Sequence, residues 1–225
     1  MNPIPVIAID GPAASGKGAV ARTVAERLGF HYLDSGAIYR AAALAIDWAG
    51  LDAGSANLAE SGAAQIAAKM DLKFSGEIIF LEDRNITELI RSESCGTKAS
   101  KIAVLPMLRG ALLALQRAFR RSPGLVAEGR DMGTVVFPDA TLKIFLTASV
   151  AVRAERRYKQ LMGKGINANI GDLLSDIESR DERDKRRDIA PLRTGSDTKL
   201  IDTTAMSLAE SIETVLKLFV VSAAN

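Results

Sequence analysis

The sequence lacks the features that indicate disulfide bonds, membrane insertion or nucleic-acid binding. Cys95 is its only cysteine, which excludes an internal disulfide framework and is compatible with a reducing cytosol. No run of about 18 consecutive apolar residues occurs, and no basic segment precedes a short apolar one near Met1, so neither a membrane span nor a signal peptide is expected. The formal net charge is only +2, too small to indicate a nucleic-acid binder. We therefore expect a soluble cytoplasmic protein that binds neither membrane nor nucleic acid.

The chain is nevertheless long enough to bury a sizeable core. It has 225 residues, and 48% of them are hydrophobic. This length fits one α/β domain with an insertion, or at most two small domains.

A glycine-rich segment near the start has the pattern of a phosphate-binding loop. It follows an apolar run at residues 6–9, which predicts a buried strand, and precedes a helical pattern at residues 19–28. The residues that would wrap around a phosphate are Gly11, Pro12, Ala13, Ala14, Ser15, Gly16, Lys17, Gly18 and Ala19. Glycine lets the backbone turn its N–H groups toward phosphate oxygens, where the helix N-terminus adds partial positive charge. Lys17 would then reach the β- and γ-phosphates.

A plain glycine-rich turn is the alternative interpretation of this segment, because the GxxxxGK spacing also occurs by chance. The order of strand, loop and helix favours the phosphate loop. One position is unusual: the hydroxyl that normally follows the lysine and binds Mg²⁺ is missing, since Gly18 and then Ala19 stand there.

Four more apolar segments alternate with helical patterns, which is typical of a parallel sheet. These predicted strands are residues 31–33, 125–128, 142–146 and 200–202. Asp34, Ser35 and Arg40 follow the first of them. We expect these three near the same crevice as the glycine loop, because ligands bind at the carboxyl ends of parallel strands.

Two segments depart from this alternation. Residues 71–90 change to a strand-like period around Ser75 and Gly76, which predicts a small antiparallel hairpin in an inserted lobe. Residues 98–121 have helical spacing, and Pro106 predicts a kink or break within them.

Arginines concentrate between the last two predicted strands, in residues 153–193. A salt-bridged helix pair in solvent is one interpretation, and a mobile lid that carries arginines over a nucleotide is the other. The spacing of Arg180, Asp184 and Arg187 places these three on one helix face and leaves the remaining side chains to solvent.

The balance of residue types favours a phosphate group as the phosphoryl acceptor. An alcohol acceptor would benefit from a general base, whereas the oxygen of a phosphate is already a nucleophile. A phosphate acceptor needs cations instead. Arginine forms bidentate hydrogen bonds with phosphate oxygens while staying charged. The chain supplies many arginines and only one histidine.

Three motifs give the chain a resemblance to the bacterial cytidylate kinases. Residues 9–18 read IDGPAASGKG, residues 33–40 read LDSGAIYR and residues 128–138 read EGRDMGTVVFP. Further similarity occurs at residues 99–103, at Arg109, and at residues 116–119, 180–184 and 190–192. The resemblance thus runs over nearly the whole chain and is far more specific than the phosphate loop alone.

This resemblance implies an α/β P-loop kinase fold, with a five-stranded parallel sheet flanked by helices, an inserted lobe that closes on the acceptor nucleotide, and a helical lid. The core would comprise residues 1–57, 98–152 and 190–225, the lobe residues 58–97 and the lid residues 153–189. The implied reaction transfers the γ-phosphoryl group of ATP to CMP or dCMP, giving CDP or dCDP in pyrimidine nucleotide metabolism. Mg²⁺ would be bound mainly through ATP phosphates and water, with no metal ligand of its own in the chain. These nucleotides are the expected partners, and a monomer is the expected state.

The resemblance also implies roles for individual residues. Positions matching Arg40 and Arg130 hold the acceptor phosphate. The sugar is bound by positions matching Ser100, Arg180 and Asp184. Cytosine is faced by positions matching Ser35, Arg109, Asp131 and Arg187. The implied catalytic residues are Lys17, Arg130, Arg157 and Arg183, of which Arg157 and Arg183 would neutralise charge on the transferring phosphoryl group.

The implied cytosine contacts make chemical sense. The exocyclic amine of cytosine can donate to Asp131, while Arg109 donates to N3 and O2. Uracil reverses the pattern at N3 and O4, so these groups would be badly paired at a cost of about 1–3 kcal/mol for each unsatisfied group.

Ala19 is a departure from the family, which usually has Thr or Ser at this position. We expect the missing hydroxyl to weaken nucleotide or Mg²⁺ binding by at most about 1.5–3 kcal/mol. Two alternatives to a cytidylate kinase stay open: a P-loop kinase for UMP, AMP or a small metabolite, and a non-catalytic nucleotide-binding module. The Asp131 and Arg109 pair discriminates against the first, and the set of acceptor-side residues against the second.

Overall fold

The structure is a computed structural model, and it describes residues 3–163, 165–186 and 190–223. The strands are β1 (Val6–Asp10), β2 (His31–Asp34), β3 (Leu72–Ser75), β4 (Ile78–Leu81), β5 (Arg84–Asn85), β6 (Leu125–Gly129), β7 (Leu142–Thr147) and β8 (Lys199–Asp202). The α-helices are α1 (Lys17–Leu28), α2 (Ser35–Trp48), α3 (Glu60–Lys69), α4 (Glu93–Ile102), α5 (Pro106–Arg117), α6 (Val150–Met162), α7 (Ile170–Arg186) and α8 (Leu208–Ala223). The chain divides into two compact units, the first made of Met1–Leu33 with Phe119–Asn225 and the second of Asp34–Ala118.

A five-stranded sheet in the order β2-β6-β1-β7-β8 organises the first unit. The central strand β1 pairs in parallel with β6 and β7, and β7 pairs in parallel with β8. Every residue of β1 is buried, as expected for a parallel strand that is covered on both faces. The predicted α/β fold with five parallel strands is thereby confirmed.

The core of the first unit joins this sheet to helices α1 and α8. Val20 and Val24 of α1 are fully buried against Ile7 and Ile9 of β1, as their spacing predicts. Val215 of α8 belongs to the same cluster. This packing therefore fixes the two ends of the loop that connects β1 to α1.

The second unit contains α2–α5 and a small three-stranded antiparallel sheet. Strand β3 pairs with β4, from Leu72 opposite Leu81 to Ser75 opposite Ile78, so the predicted hairpin is confirmed. The turn that follows lies at Glu82 and Asp83, and β5 pairs with β4 after it.

The break predicted at Pro106 is confirmed, because α4 ends at Ile102 and α5 begins at Pro106. At this first position of α5 the missing N–H of proline is harmless, and α4 and α5 are bent by 107° between them. Among the described helices no single one combines the length and apolarity needed to cross a membrane; α4 and α5 meet those criteria only when they are taken together.

The buried stripe of α7 differs from the sequence expectation. It runs from Leu173 and Ile177 to Asp181 and Asp184, so the apolar side of the helix ends in two carboxylates. The prediction that side chains other than Arg180, Asp184 and Arg187 face solvent is wrong for Asp181, which is only 7% exposed. The reason is a buried ion pair with α6, described below. Arg187 lies outside the described residues.

Candidate active site

The phosphate loop connects the end of β1 to the first residue of α1. Gly11 has no room for a side chain, because a Cβ there would stand 2.1 Å from the carbonyl oxygen of Leu146 in β7. Ala14 and Gly16 both adopt left-handed backbone conformations, with φ of 57° and 90°. Left-handed residues alternating with others turn successive N–H groups into one concavity, which is the geometry of an anion site. A left-handed alanine costs about 1–2 kcal/mol, so the surrounding contacts must hold it.

Two arginines of α6 hold the loop from its outer side. Arg153 Nη1 donates to the carbonyl oxygen of Ala13 at 3.1 Å, and Arg156 Nη1 donates to that of Ser15 at 3.0 Å. In a trans peptide the N–H points opposite to the C=O. The N–H groups of Ala14 and Gly16 are therefore directed away from α6 and toward the concave side.

Arg156 is fixed by the end of the sheet as well as by the loop. Its guanidinium donates to the hydroxyl of Thr203 at 3.0 Å and to the carbonyl oxygen of Thr203 at 2.8 Å. Thr203 in turn donates from its hydroxyl to the carbonyl oxygen of Thr147, at the end of β7. The loop is thus braced on the carboxyl ends of β7 and β8.

Lys17 lies over the loop that precedes it. Its side chain is largely buried, and Nζ donates to the carbonyl oxygen of Pro12 at 3.2 Å. The ammonium group therefore lies over the phosphate loop, where it could contact a phosphate bound by the loop.

Glu128 explains why a glycine follows this lysine. A Cβ at Gly18 would stand 2.9 Å from Oε1 of Glu128, so a Ser or Thr side chain there would displace the carboxylate. Glu128 is buried near the end of β6 and accepts a hydrogen bond from the Tyr32 hydroxyl. A carboxylate thus lies beside the position where many phosphate loops carry a hydroxyl. Ala19 is exposed.

Asp10 shapes the segment that follows β6. Its carboxylate oxygens accept hydrogen bonds from the backbone N–H groups of Met132 and Gly133, each at 2.8 Å, where the chain makes a short π-helical turn at Met132–Val136. Burial raises the pKa of Asp10 from 3.8 to about 6, against the effect of these two hydrogen bonds. Asp10 therefore fixes the backbone conformation of the two residues that follow Asp131, Met132 and Gly133.

Arg130 and Asp184 are two predicted acceptor-side residues that the structure brings together. Arg130 Nε donates to Asp184 Oδ2 at 2.8 Å, and Arg130 Nη1 donates to the carbonyl oxygen of Gly129 at 3.1 Å. Asp184 is buried on α7, and Asp131, next to Arg130, is 3% exposed. The end of β6 and the helix α7 are thereby joined.

The remaining predicted residues of the helix pair α6 and α7 are partly exposed. Arg157 lies on α6 and donates from Nη1 to Oε1 of Gln160, one turn further on, at 2.6 Å. Arg180 and Arg183 lie half-buried on α7.

Four predicted acceptor-side residues belong to the second unit: Ser35, Arg40, Ser100 and Arg109. Ser35 is buried at the start of α2, which Asp34 caps by accepting the N–H of Ala37 at 3.0 Å. Ser100 is half-buried near the end of α4. Their binding roles stay predictions.

The two arginines of this set are oriented by neighbouring groups of the second unit. Arg40 Nη1 donates to the carbonyl oxygens of Ile90 at 2.7 Å and Ser92 at 3.2 Å. Arg109 Nη1 donates to the carbonyl oxygen of Ala103 at 3.2 Å, and its guanidinium lies 5.8 Å from the centre of the Tyr39 ring.

Sequence reasoning assigned no role to several residues that shape this site: Asp10, Tyr32, Glu128, Arg153, Arg156, Asp181 and Thr203. The arginine-rich segment contains three of them, Arg153, Arg156 and Asp181, but its spacing carries no signal for which of its side chains are buried. Glu128 belongs to a motif, yet its partner Tyr32 is 96 residues away in the chain. Contacts over such separations leave no local pattern.

Comparisons with known proteins place the chain in a family. The family model described as cytidylate kinase matches residues 7–220. The cytidylate kinase of Cupriavidus necator is 56% identical over 220 residues, which cover 97% of each chain. That of Polynucleobacter asymbioticus is 54% identical over 216 residues, or 96% of each chain.

A solved structure supports the fold independently. A gluconokinase from Sinorhizobium meliloti superposes with a TM-score of 0.51 at 17% identity, and the match covers 99% of this chain and 95% of that one. At this identity the likeness concerns the fold alone. The family model and the relatives confirm the resemblance that the three sequence motifs indicate: the chain belongs to the cytidylate kinase family.

Proposed function

We propose that the chain transfers the γ-phosphoryl group of ATP to CMP or dCMP. The observation that carries the proposal is the register of two neighbouring strands. Asp10, just before the phosphate loop, pairs with Gly129, just before Arg130. Because adjacent strands lie about 4.8 Å apart, the loop that would hold the donor and an arginine suited to the acceptor start side by side at one edge of the sheet.

The work of this site is to bring two polyanions together. The N–H groups of Ala14 and Gly16 and the ammonium group of Lys17 would bind the donor phosphates, since they point to the concave side of the loop or lie over it. Arg130 would bind the acceptor phosphate, and Arg157 and Arg183 would neutralise charge as the phosphoryl group moves. The acceptor oxygen is already an anion, so the reaction needs no general base.

Acceptor recognition would depend on the following residues. Arg40 would hold the acceptor phosphate with Arg130, while Ser100, Arg180 and Asp184 would bind the sugar. Asp131 is buried, so it would discriminate between bases: a base that cannot donate to it would lose a hydrogen bond to a charged group. Arg109, with Ser35 and Arg187, would bind the rest of the cytosine edge.

The residues near the loop fit Mg²⁺ that is bound through water and ATP. Neither Gly18 nor Ala19 has a hydroxyl, whereas the Glu128 carboxylate lies beside the position of a Gly18 side chain. Among residues 3–163, 165–186 and 190–223, no group of three His, Cys, Asp or Glu side chains could by itself enclose a metal. Glu128 would accept hydrogen bonds from metal-bound water, and the ion would neutralise phosphate charge.

The same proposal covers domain motion and assembly. Residues 58–97 would form the lobe that closes on the acceptor, and residues 153–189 the lid over the donor, around a core of residues 1–57, 98–152 and 190–225. We expect a cytoplasmic monomer whose partners are these nucleotides.

A coupled ADP-release assay tests the proposal. The purified chain is given ATP and Mg²⁺ with CMP, dCMP, UMP or AMP in turn. We expect turnover with CMP or dCMP and a kcat/KM for UMP that is lower by about tenfold or more. UMP turned over as well as CMP would overturn the cytosine assignment, and no activity with any acceptor would support a nucleotide-binding module.

A further inference from the structure

One buried arginine of the first unit contacts three segments at once. Arg153 is 3% exposed. Its Nε donates to the carbonyl oxygen of Ala148 at 2.9 Å, Nη1 donates to that of Ala13 at 3.1 Å, and Nη2 lies 2.6 Å from Oδ2 of Asp181. One guanidinium group therefore contacts the residue before the N-cap of α6, the phosphate loop and α7.

The carboxylate that pairs with Arg153 stands among the acceptor-side residues of α7. Asp181 follows Arg180 directly and precedes Asp184 by one helical turn. Asp184 binds Arg130 through its side chain, and its carbonyl oxygen accepts the N–H of Leu192 at 2.8 Å. A movement of Asp181 along the helix axis would therefore move the residues that we propose for sugar binding.

The pair between Arg153 and Asp181 has an unused acceptor. Oδ1 of Asp181 is buried and has no hydrogen-bond partner among the described residues. Buried carboxylate oxygens are rarely left unpaired, because the cost is high. The structure shows the guanidinium of Arg153 on Oδ2. A small rotation that brought it onto Oδ1 as well would give the pair a second arrangement.

We propose that Arg153 is a positioning residue that couples ATP binding at the phosphate loop to acceptor binding by α7; this inference rests on the proposed function. An ATP phosphate that binds the Ala14 N–H polarises the peptide between Ala13 and Ala14, and this strengthens the hydrogen bond from Arg153 to the Ala13 carbonyl. The guanidinium then favours one arrangement with Asp181. That choice sets the position of Arg180 and Asp184 before the acceptor arrives.

The test is a titration of the full chain by calorimetry. The CMP dissociation constant is measured alone and with a saturating non-hydrolysable ATP analogue, and the ratio of the two is the coupling factor. We expect the wild-type chain to show a factor of about five or more. Asp181→Asn keeps the shape of the side chain but removes its charge, and we expect the factor to fall below roughly two. Arg153→Lys keeps the charge but lacks the planar guanidinium group that donates to three partners at once, and we expect the same loss of coupling.

Glu182→Gln is the matched control, because it removes the same charge from the neighbouring position of α7. Glu182 is exposed and pairs with Arg186 on the solvent side of the helix. We expect this variant to keep the wild-type coupling factor. Thermal melts accompany every titration, since a merely structural role of Asp181 would lower Tm and weaken both ligands without changing their ratio.

The outcomes separate this inference from the proposed function. If Asp181→Asn folds, phosphorylates CMP and keeps the wild-type factor, or if the wild-type enzyme has a factor of one, the coupling role of Arg153 is wrong and the kinase assignment stands. If the wild-type chain neither binds nor phosphorylates CMP, both are overturned. Loss of coupling in Asp181→Asn and Arg153→Lys but not in Glu182→Gln supports the inference.

Discussion

Two pairs of arginines, one pair from each compact unit, are oriented by different kinds of group. In the first unit Arg130 and Arg153 pair with the buried carboxylates of Asp184 and Asp181, at 2.8 and 2.6 Å. These contacts offset positive charge with negative charge inside the protein, and they join α7 to β6 and to α6.

In the second unit the contacts that orient the arginines include uncharged groups. Arg40 donates to two main-chain carbonyl oxygens, and Arg109 donates to one beside the Tyr39 ring. A carbonyl fixes the direction of a guanidinium group without cancelling its charge. Arginines of this chain thus serve two purposes: ion pairs with buried carboxylates connect structural elements, and hydrogen bonds to main-chain carbonyls set the direction of a guanidinium group.

Lys17 provides the largest effect, because we propose that its ammonium group binds the donor phosphates. Like Arg40, Lys17 is oriented by a main-chain carbonyl, that of Pro12. We expect Lys17→Ala to lower kcat by roughly 10²–10³-fold, the range found for loss of one group that stabilises charge in the transition state. ADP release with CMP measures this. Lys159→Ala, which changes an exposed lysine paired with Glu155, should retain full activity.

A comparison of two arginine variants tests the division between the units. Arg153→Met would leave Asp181 buried without its cation, so we expect the free energy of unfolding to fall by about 3–5 kcal/mol. Arg40→Met removes the hydrogen bonds to the carbonyl oxygens of Ile90 and Ser92, and for these bonds we expect a loss of about 1–2 kcal/mol. Urea denaturation measures both. Equal losses would mean that the two kinds of contact do not differ in their contribution to stability.

Asp10 is a buried carboxylate of the first unit whose hydrogen bonds come from backbone N–H groups. Its pKa is raised by burial from 3.8 to about 6, so the folded state binds the proton more tightly than the unfolded state. The contribution of Asp10 to stability is therefore complete below about pH 4 and is lost as the pH rises to about 6, by about 3 kcal/mol in total. In Asp10→Asn this loss should be absent. Urea denaturation between pH 4 and 7 measures it, and a difference from wild type that does not change with pH would contradict the raised pKa.

The smallest effect concerns the hydroxyl that the loop lacks. Ala19 is exposed, so a threonine fits there without displacing the core. We expect Ala19→Thr to raise kcat/KM for ATP by an amount worth at most about 1.5–3 kcal/mol, the value of one hydrogen bond to a charged group. Ala19→Val adds a similar volume without the hydroxyl and serves as the control. An unchanged ratio in the threonine variant would show that Glu128 and the backbone already supply what the hydroxyl provides elsewhere.

Local patterns predict much of this fold. Apolar runs bounded by polar or glycine residues predict the five strands, and Pro106 predicts the break between α4 and α5. The capping box at Ser207 and Glu210 predicts the start of α8, where Glu210 accepts the N–H of Ser207 at 2.8 Å. Each of these signals lies within a few residues of the feature it predicts.

The long-range hydrogen bonds and ion pairs that hold the site cannot be predicted from such local patterns. Asp10 accepts hydrogen bonds from residues 122 and 123 positions later, and Arg153 reaches the loop across 140 positions. Helical periodicity predicts that Arg180, Asp184 and Arg187 share one face of a helix, but it does not reveal that Asp181 is buried. An acidic side chain is buried only where a cation compensates it, and here that cation belongs to another helix. Motif resemblance predicts the chemistry of the site, whereas these long-range contacts decide its geometry.

Transfer of label tests the central claim most directly. The chain is mixed with ATP labelled at the γ-phosphate and with equal concentrations of CMP and UMP, and the products are separated. The account predicts that the label appears in CDP in large excess over UDP, with little inorganic phosphate. Label that appears equally in UDP, or only as inorganic phosphate, would contradict it.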